Sequence, residues 1–548
     1  MTFRFSPRDN AAHLIPWREW GEEAFAEARS SGRPILLAIS AVWCHWCHVM
    51  DERTYSDPEV QEAIRRDFIP VRVDSDQRPD VNDRYNLGGW PTTAFVAPSG
   101  EILAGGTYLP PEDMRDALFR VAAWWRAHRD EPLSRPPEEA SDTNHGPVAE
   151  VVLARLQAAF DEIHGGFGQA PKFPQADALE FLLDVATDHG DPSLRGIVET
   201  SLGGMVEGGL FDPVEGGFFR YATRQDWSEP HYEKMLEDNA RLVALLARTA
   251  KGRPRFLEAA RSTGHYLTTT LFTGEHFFGS QDADEAYYSL PEAGRRGRQP
   301  PFRDPVLYAG WNATAVRCLA EAGRQLGEDA WLRTARRAFR TTIERCLGPS
   351  GLTHTDQEGA VHNLVVDLAE LGRAAHALWA VDQDEEAAAV SGRVREILLG
   401  MRDGGRFPDF PAGGPGRLAA PASSLTPSAM AGRFLLERSD AFDDAAAFEG
   451  AREALAVAAS QVPRFGLMAA AAAHLELLLA EVPLRLEVPP ALAATLGTRI
   501  SRLEWPRRVI IPGEGPGVVV CRGETCLLPA RTAVELEERL AQALGGMS

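Results

Sequence analysis

Residues 34–50 read PILLAISAVWCHWCHVM, an apolar run followed at once by two cysteines that are two residues apart. The run 34–40 has the composition of a strand buried on both faces of a sheet. A helical pattern resumes through Met50, so we predict that Cys44 lies at the N-terminus of a helix. The partial positive charge of a helix N-terminus favours a thiolate. In such positions the thiol pKa falls from about 8.5 to between about 3.5 and 7.5.

This placement predicts thiol–disulfide exchange. Cys44 is expected to be the exposed nucleophile, and Cys47, one turn later, the resolving thiol that ends the mixed disulfide. When protonated, His45 adds positive charge that stabilises the reduced thiolate. We therefore expect a more oxidising couple than one with Gly-Pro between its cysteines. Trp43 and His48 complete the immediate surroundings of the pair.

Trp90 and Pro91 form a second element of the same site. A proline after Gly-Gly-Trp and before a strand suits a cis peptide bond, which is accessible mainly at X-Pro. Such a proline would set an extended backbone edge against the cysteines for substrate pairing. An ordinary trans turn proline is the alternative.

The other cysteines leave a zinc site as an alternative. Residues 44, 45, 47 and 48 cannot all reach one ion from a single helical turn. Cys44 and Cys47 with a distant His or Cys could bind zinc, and CRGETC (521–526) could supply that ligand. The four residues between Cys521 and Cys526 suit neither a thioredoxin couple nor a standard zinc knuckle. We assign no resident metal and no cofactor.

Bulk composition restricts the partners of the chain. It has 548 residues, too many for one hydrophobic core, and a formal net charge of -21. Nucleic acid and anionic membranes both demand a basic footprint, so neither is expected as a partner. The N-terminal residues lack the pattern of a secretory signal, and no apolar run has the length and purity of a membrane span. We expect a cytoplasmic protein, in which a Cys-x-x-Cys pair is catalytic or metal-binding.

The chain divides into four regions. Residues 1–130 alternate strands and helices, and 131–147 form a polar, proline-rich linker. Residues 148–482 read as helix after helix, about twelve in all, and 483–548 as a small α/β segment. Long glycine- and aromatic-rich connections follow every second helix. Twelve helices in six hairpins, with the long loops at one end, predict an (α/α)6 barrel whose loop end holds a pocket. A straight solenoid is the competing arrangement.

Chemically suggestive side chains cluster in the barrel region at its predicted loop end. Flat aromatic faces beside glycines suit a sugar ring, paired carboxylates suit glycoside hydrolysis, and a His with a carboxylate suits epimerisation. Helix caps, solvated faces and loop packing explain the same residues without a pocket. The candidate pocket residues are Phe218, Tyr221, Trp227, His231, Glu233, Lys234, Asp238, Asn239, Asp282, Asp284, Glu285, Trp311, Asn312 and Asp367.

Several stretches resemble one known family. WCHWCHVM, FIPVRVDSDQRPDV and GGWPTTAFVAPSGEILAGGTYLP are similar to the thioredoxin-like domain of the spermatogenesis-associated protein 20 type family. The likeness continues in FGQAPKFP, GGLFDPVEGGFFRYATRQDWSEPHYEKMLEDNA, SQDAD, WNATA and CRGETCLLP. The resemblance implies a thioredoxin-like domain fused to an α/α barrel similar to those of sugar epimerases and six-hairpin glycosidases.

Two departures from that family concern the barrel. The usual lysine before Trp-Asn is missing from DPVLYAGWN, and an aromatic-Asp-Asn sequence is replaced by Glu237-Asp238-Asn239. The leading hypothesis is therefore a thiol-disulfide oxidoreductase acting on a client protein or a small thiol, with a barrel that binds a substrate, carbohydrate-like in nature, or a partner. The alternatives are a sugar epimerase or glycoside hydrolase with an accessory thioredoxin-like domain, and a non-catalytic binding scaffold.

Overall fold

The computed structural model describes residues 3–131, 133 and 146–545. Except for its ends, the linker expected over 131–147 lies outside these residues. The described chain forms an N-terminal α/β domain, a large helical barrel and a small C-terminal α/β domain.

The N-terminal domain is a four-stranded sheet with helices on both faces. Its strands are β1 (Ile35–Ser40), β2 (Ile69–Asp74), β3 (Thr92–Val96) and β4 (Ile102–Gly106). Its helices are α1 (Glu22–Ser31), α2 (His45–Val49), α3 (Pro58–Asp67), α4 (Pro79–Tyr85) and α5 (Pro111–His128). The strand order is β2-β1-β3-β4, with β1 parallel to β2 and antiparallel to β3. Because β1 is central and apolar, it is buried on both faces, as predicted.

The helical region closes into a barrel. Its inner helices are α7 (Ala176–His189), α9 (Leu236–Thr249), α13 (Ala309–Leu326), α15 (Val365–Asp382), α17 (Leu425–Phe442) and α20 (Ala470–Ala480). Its outer helices are α6 (Val148–Ala159), α8 (Pro192–Glu207), α10 (Pro254–Thr269), α14 (Asp329–Cys346), α16 (Glu385–Met401) and α18 (Ala445–Ala459). Each inner helix packs on the next, and α20 packs back on α7. This closed ring confirms the α/α barrel and excludes a straight solenoid.

Short elements shape the barrel loops. The two-residue strands are β5 (Tyr221–Ala222), β6 (Pro230–His231), β7 (Lys234–Met235), β8 (Ser280–Gln281), β9 (Leu347–Gly348) and β10 (Gly351–Leu352). The short helices are α11 (Glu285–Tyr288), α12 (Glu292–Arg295) and α19 (Val462–Phe465). β7 lies in the loop before α9 and β8 in the loop after α10, and their pairing joins these two loops.

The N-terminal domain packs against the loop end of the barrel. Leu364, Phe410 and Leu418 from barrel loops join the same apolar cluster as Phe25 and Tyr85. The contact is tight, since a Cβ atom placed on Gly100 would lie 2.3 Å from the Cα of Gly416. All six inner helices begin at this end, so the domain covers the end where a pocket was predicted.

The C-terminal domain repeats the strand pattern of the N-terminal sheet. It contains β11 (Leu484–Val488), α21 (Pro490–Ser501), β12 (Arg508–Pro512), β13 (Val519–Arg522), β14 (Thr525–Cys526) and α22 (Ala533–Leu544). Its order is β12-β11-β13-β14, with β11 parallel to β12 and antiparallel to β13. A disulfide joins Cys521 and Cys526 across the β13–β14 hairpin. The domain contacts α13, α15 and α17 near their C-terminal ends, opposite the N-terminal domain.

One helical segment, Val462–Ala480, is long and apolar enough to cross a membrane on composition alone. Its residues Ala472, Ala473 and Leu475 are fully buried in the barrel core. The segment therefore has the surroundings of a core helix.

Candidate functional site

Cys44 and Cys47 lie at the carboxyl end of β1, where the strand turns into α2. Cys44 is the residue that caps α2, and its sulfur accepts a hydrogen bond from the backbone N–H of Cys47 at 3.2 Å. The two sulfurs are joined as a disulfide. The predicted strand-then-helix placement of the pair is confirmed.

The expected exposure of Cys44 is wrong. Only 4% of Cys44 and 2% of Cys47 is accessible to solvent. They belong to one apolar cluster with Met235 and Trp311, which come from the barrel. The local sequence places Cys44 at the edge of its own sheet, where it would face solvent, but the docked barrel covers that edge.

Aromatic side chains surround the pair. The Trp43 and Trp90 rings meet edge to face with centroids 5.7 Å apart. The guanidinium of Arg220, from the barrel, lies 4.3 Å from the Trp43 ring centroid and 5.1 Å from that of Trp90. The Trp90–Pro91 peptide bond is cis, which confirms that prediction. The barrel thus supplies a cation to the aromatic side of the cysteine site.

A hydrogen-bonded chain connects this site to the barrel wall. Trp43 Nε1 donates to Asp76 Oδ2 at 2.6 Å, and the Asp76 carbonyl lies 2.6 Å from His354 Nε2. His354 Nδ1 lies 2.7 Å from Asp367 Oδ2. Burial opposes protonation of His354, but the Asp367 carboxylate outweighs it and raises the histidine pKa. Burial raises the pKa of Asp76 to about 6.

His48 faces a carboxyl group of the barrel. Its Nε2 lies 3.1 Å from the Val42 carbonyl and 3.8 Å from Asp282 Oδ2. Burial lowers the pKa of His48 and raises that of Asp282 to about 7. Near neutral pH, Asp282 therefore exchanges a proton readily beside the helix that carries Cys47.

Asp282 makes stability depend on pH between about 6 and 8. Because its pKa rises from 3.8 to about 7, the folded chain holds a proton that the unfolded chain has lost. That stabilisation is lost as the pH rises through 7, by about 1 kcal/mol over this interval. The raised pKa of His354 acts in the same direction. We expect the melting temperature to fall from pH 6 to pH 8, and to fall less in Asp282→Asn. Equal slopes in the wild type and this variant would contradict the assignment, and Glu285→Gln, an exposed change in the same loop, is the control.

Several candidate pocket residues form the barrel framework instead. Phe218, Trp227, Lys234, Asn239 and Asn312 are fully buried. The Lys234 ammonium donates to Asp212 Oδ2 at 2.7 Å and to the Gly216 carbonyl at 2.8 Å. This placement differs from the pocket-lining role expected from the sequence.

The two asparagines have matching structural roles. Asn239 exchanges hydrogen bonds with both backbone groups of Phe218, and Asn312 does the same with Phe277. Each fastens a long loop to the start of an inner helix. Their repeated position, four residues after the residue that caps the helix, could have indicated this role from the sequence.

The remaining barrel candidates mostly contact neighbouring side chains or the backbone. The Tyr221 ring stacks on His231 at 4.3 Å and on Phe173 at 4.7 Å. His231 Nδ1 lies 3.7 Å from Glu233 Oε1, so these two candidates are neighbours. Asp284 caps α11 through the Tyr287 N–H, and Glu285 is exposed.

Other candidates meet at the cysteine site. Asp238 and Trp311 line a cavity of about 260 Å³ together with Trp43, Trp90 and Arg220. His354 also lines this cavity, and Asp367 is connected to it through the hydrogen bond to His354. The sequence analysis missed Arg220 and His354, because each belongs to a barrel loop that becomes part of this site only when the domains dock. It also missed Asp76, which follows β2 in the same domain as Trp43 and bonds to it through a contact between residues distant in sequence.

The remaining cysteines fit a structural role. Cys318 and Cys346 are buried free thiols, and burial raises the pKa of each to about 12. Within the described residues, no group of three or more His, Cys, Asp or Glu side chains is arranged to hold a metal ion. The Cys44–Cys47 and Cys521–Cys526 pairs are both disulfides, an arrangement that does not favour the zinc alternative.

Several known proteins are similar to this chain in sequence. Residues 7–139 match the family model Thioredox_DsbH, described as a protein of unknown function, DUF255. Spermatogenesis-associated protein 20 from Homo sapiens is 32% identical over 330 residues, covering 54% of this chain and 41% of the human protein. The chain resembles the spermatogenesis-associated protein 20 type family. It spans about two fifths of the length of the curated relatives of this type that it matches.

Two further similarities concern single domains. Thiol:disulfide interchange protein DsbD 1 from Pseudomonas aeruginosa is 37% identical over 83 residues, which are 15% of this chain and 14% of that protein. The cellobiose 2-epimerase from Spirochaeta thermophila aligns with 56% of this chain and 80% of its own, at 18% identity and a TM-score of 0.46. The architecture is a thioredoxin-like domain on an α/α barrel.

Proposed function

We propose that the protein is a thiol-disulfide oxidoreductase in which Cys44 is the nucleophile and Cys47 the resolving thiol. The observation that carries the proposal is the position of the Cys44 sulfur, which caps α2 and accepts the Cys47 N–H. A thiolate there is stabilised by that N–H and by the helix terminus. The similarity of the N-terminal residues to DsbD-type proteins supports the same chemistry.

The exchange follows two steps. The Cys44 thiolate attacks a substrate disulfide, forms a mixed disulfide and releases one substrate thiolate. Cys47 then loses its proton and attacks the Cys44 sulfur, which releases the second substrate thiol and closes the Cys44–Cys47 disulfide. The substrate gains two electrons, which an external dithiol returns to the protein. His48, in α2, and Asp282 of the barrel lie 3.8 Å apart, and we assign to this pair the acceptance of the Cys47 proton.

The barrel covers and completes this site in the proposal. Its axis is crowded with ion pairs, including Arg317 Nε with Glu370 at 3.2 Å and Arg433 with Glu180 at 2.7 Å. Arg317, Arg433 and Glu180 line a cavity of about 200 Å³, whose charged lining differs from the mostly apolar and aromatic lining typical of small-molecule sites. The alternative of an epimerase or hydrolase finds its best residues in His231 and Glu233, but the His231 ring is stacked on Tyr221.

The reduction potential of the intact protein tests the proposed function. We expect reversible two-electron reduction of Cys44–Cys47 in glutathione buffers, at a potential above about −270 mV, because His45 stabilises the reduced thiolate. Replacing His45-Trp46 with Gly-Pro should lower the potential by about 30 mV or more. Peptide-resolved alkylation measures the redox state of each cysteine. A pair that is not reversibly reduced in any of these buffers would reject the function, and an unchanged potential in the Gly-Pro variant would reject the role of His45.

A further inference from the structure

The cysteine site is closed to large substrates. Cys44 is 4% exposed, and Arg220 of the barrel lies over Trp43 and Trp90, the edge on which an extended peptide would have to pair. The adjoining cavity, about 260 Å³, is smaller than the roughly 300–1,000 Å³ of ordinary ligand pockets. A folded client protein cannot enter a space of this size. The inference that follows rests on the proposed exchange function and concerns its substrate.

The cavity and the cysteine pair share several side chains. Trp43, Trp90, Met235 and Trp311 line the cavity and also pack on the cysteine pair. Met235 is unbranched, with flexible torsions, so it can move without disturbing the backbone. Met235 is therefore the most easily moved side chain that the cavity lining shares with the cysteine cluster.

Two side chains of opposite charge line this cavity: Arg220, whose guanidinium lies over the Trp43 and Trp90 rings, and Asp238. Among the described residues, neither the Arg220 guanidinium nor the Asp238 carboxylate makes a hydrogen bond or an ion pair, although both line the cavity. Burial raises the pKa of Asp238 although Arg220 and Arg241 oppose that shift, so a further cation beside it would stabilise its charged form. The Trp90 Nε1–H is buried and also lacks an acceptor in the described structure. The cavity thus offers a site for a carboxylate, a site for an ammonium group and a spare donor.

We propose that the substrate is a low-molecular-weight disulfide that bears an ammonium and a carboxylate group at each end, of which cystine is the simplest. Arg220 binds the carboxylate and Asp238 binds the ammonium group of one half. The disulfide of the ligand then faces Cys44 across the position of Met235. Aromatic walls formed by Trp90 and Trp311 enclose the sulfur atoms.

The reaction balances as one two-electron reduction. The Cys44 thiolate forms a bond to one cystine sulfur while the cystine S–S bond breaks and one cysteine leaves. Cys47 then attacks Cys44, and the second cysteine leaves with the transferred proton. The protein dithiol is oxidised to the Cys44–Cys47 disulfide, cystine is reduced to two cysteines, and an external dithiol restores the reduced protein.

A series of disulfides with different charges tests this assignment on the full-length, reduced protein. The probes are cystine, cystamine with two ammonium groups, dithiodipropionate with two carboxylates, uncharged bis(2-hydroxyethyl) disulfide, and insulin. Oxidation of the Cys44–Cys47 pair is followed by peptide-resolved alkylation. We expect cystine to react at least about tenfold faster than the uncharged disulfide, since two charge-assisted contacts are gained. Insulin should be the slowest.

Two variants should shift the preference in opposite directions. Arg220→Gln should lower the rates with cystine and dithiodipropionate relative to cystamine, and Asp238→Asn should lower those with cystine and cystamine relative to dithiodipropionate. Arg224→Gln and Asp226→Asn change exposed charges of the Arg220 loop and are the matched controls. Similar rates for all small disulfides, or insulin as fast as cystine, would overturn the substrate assignment alone. If no disulfide oxidises the pair, the exchange function itself is rejected, and the substrate assignment with it.

Discussion

Replacing Cys44 with serine is expected to lower the rate of thiol–disulfide exchange by at least about 10³-fold, because the change removes the nucleophile of the proposed reaction. Cys47 is a poorer nucleophile in this arrangement, since it lies within α2 and not at the helix terminus that stabilises the Cys44 thiolate. The measurement is thiol release from a small uncharged disulfide in a single turnover of the intact protein.

Cys318→Ser is the matched control for this experiment. Cys318 is a buried free thiol in α13, outside the cysteine site, and its raised pKa makes it a poor nucleophile. The control should retain the wild-type rate if it folds, which circular dichroism checks. Wild-type exchange in Cys44→Ser would show that another thiol, or no thiol at all, accounts for the reaction.

The Lys234→Met variant should show the largest loss of stability. Lys234 is fully buried and neutralises Asp212, which also receives Arg295 at 2.7 Å. Removing one partner of a buried ion pair costs about 3–5 kcal/mol. In a chain of this size we expect the melting temperature of the barrel to fall by about 5–10 °C.

The exposed Lys251, in the turn after α9, provides the comparison for Lys234. Lys251→Met should leave the melting temperature unchanged, because its ammonium group is in solvent. A Lys234→Met variant as stable as the wild type would contradict the framework role. Lys234 would then have to be considered again as the pocket residue that the sequence suggested.

The local sequence was sufficient to predict the main helices and strands of this fold. The apolar run 34–40 forms β1, and the cysteines follow it at the start of α2. The alternation of long and short connections correctly indicated six helical hairpins and the end at which their long loops gather. These features depend on periodicity and on turn residues, which act over a few positions of the chain.

Features that arise from domain docking could not be predicted in the same way. Cys44 is buried because Met235 and Trp311, about two hundred residues or more away in the chain, close over it. Arg220 and His354 meet the cysteine domain for the same reason. The sequence did not indicate whether the faces of aromatic residues near glycines were free, because tertiary packing determines which rings stack.

The same limit applies to the C-terminal domain. Its short strands were recognised, but their order in the sheet depends on pairings such as Leu486 with Val520, which are distant in sequence. The repeat of the N-terminal strand order is visible only in the folded chain. No Cys-x-x-Cys follows β11, where two prolines begin α21 instead.

Trapping with the Cys47→Ser variant tests the central claim most directly. Reduced, full-length Cys47→Ser is mixed with bis(2-hydroxyethyl) disulfide at neutral pH, and the adducts are mapped by peptide mass spectrometry. We predict a stable mixed disulfide on Cys44 that forms well before any adduct on Cys318 or Cys346. A chain that acquires no adduct at Cys44, or acquires one there no sooner than at Cys318 or Cys346, would contradict the assignment of Cys44 as the nucleophile.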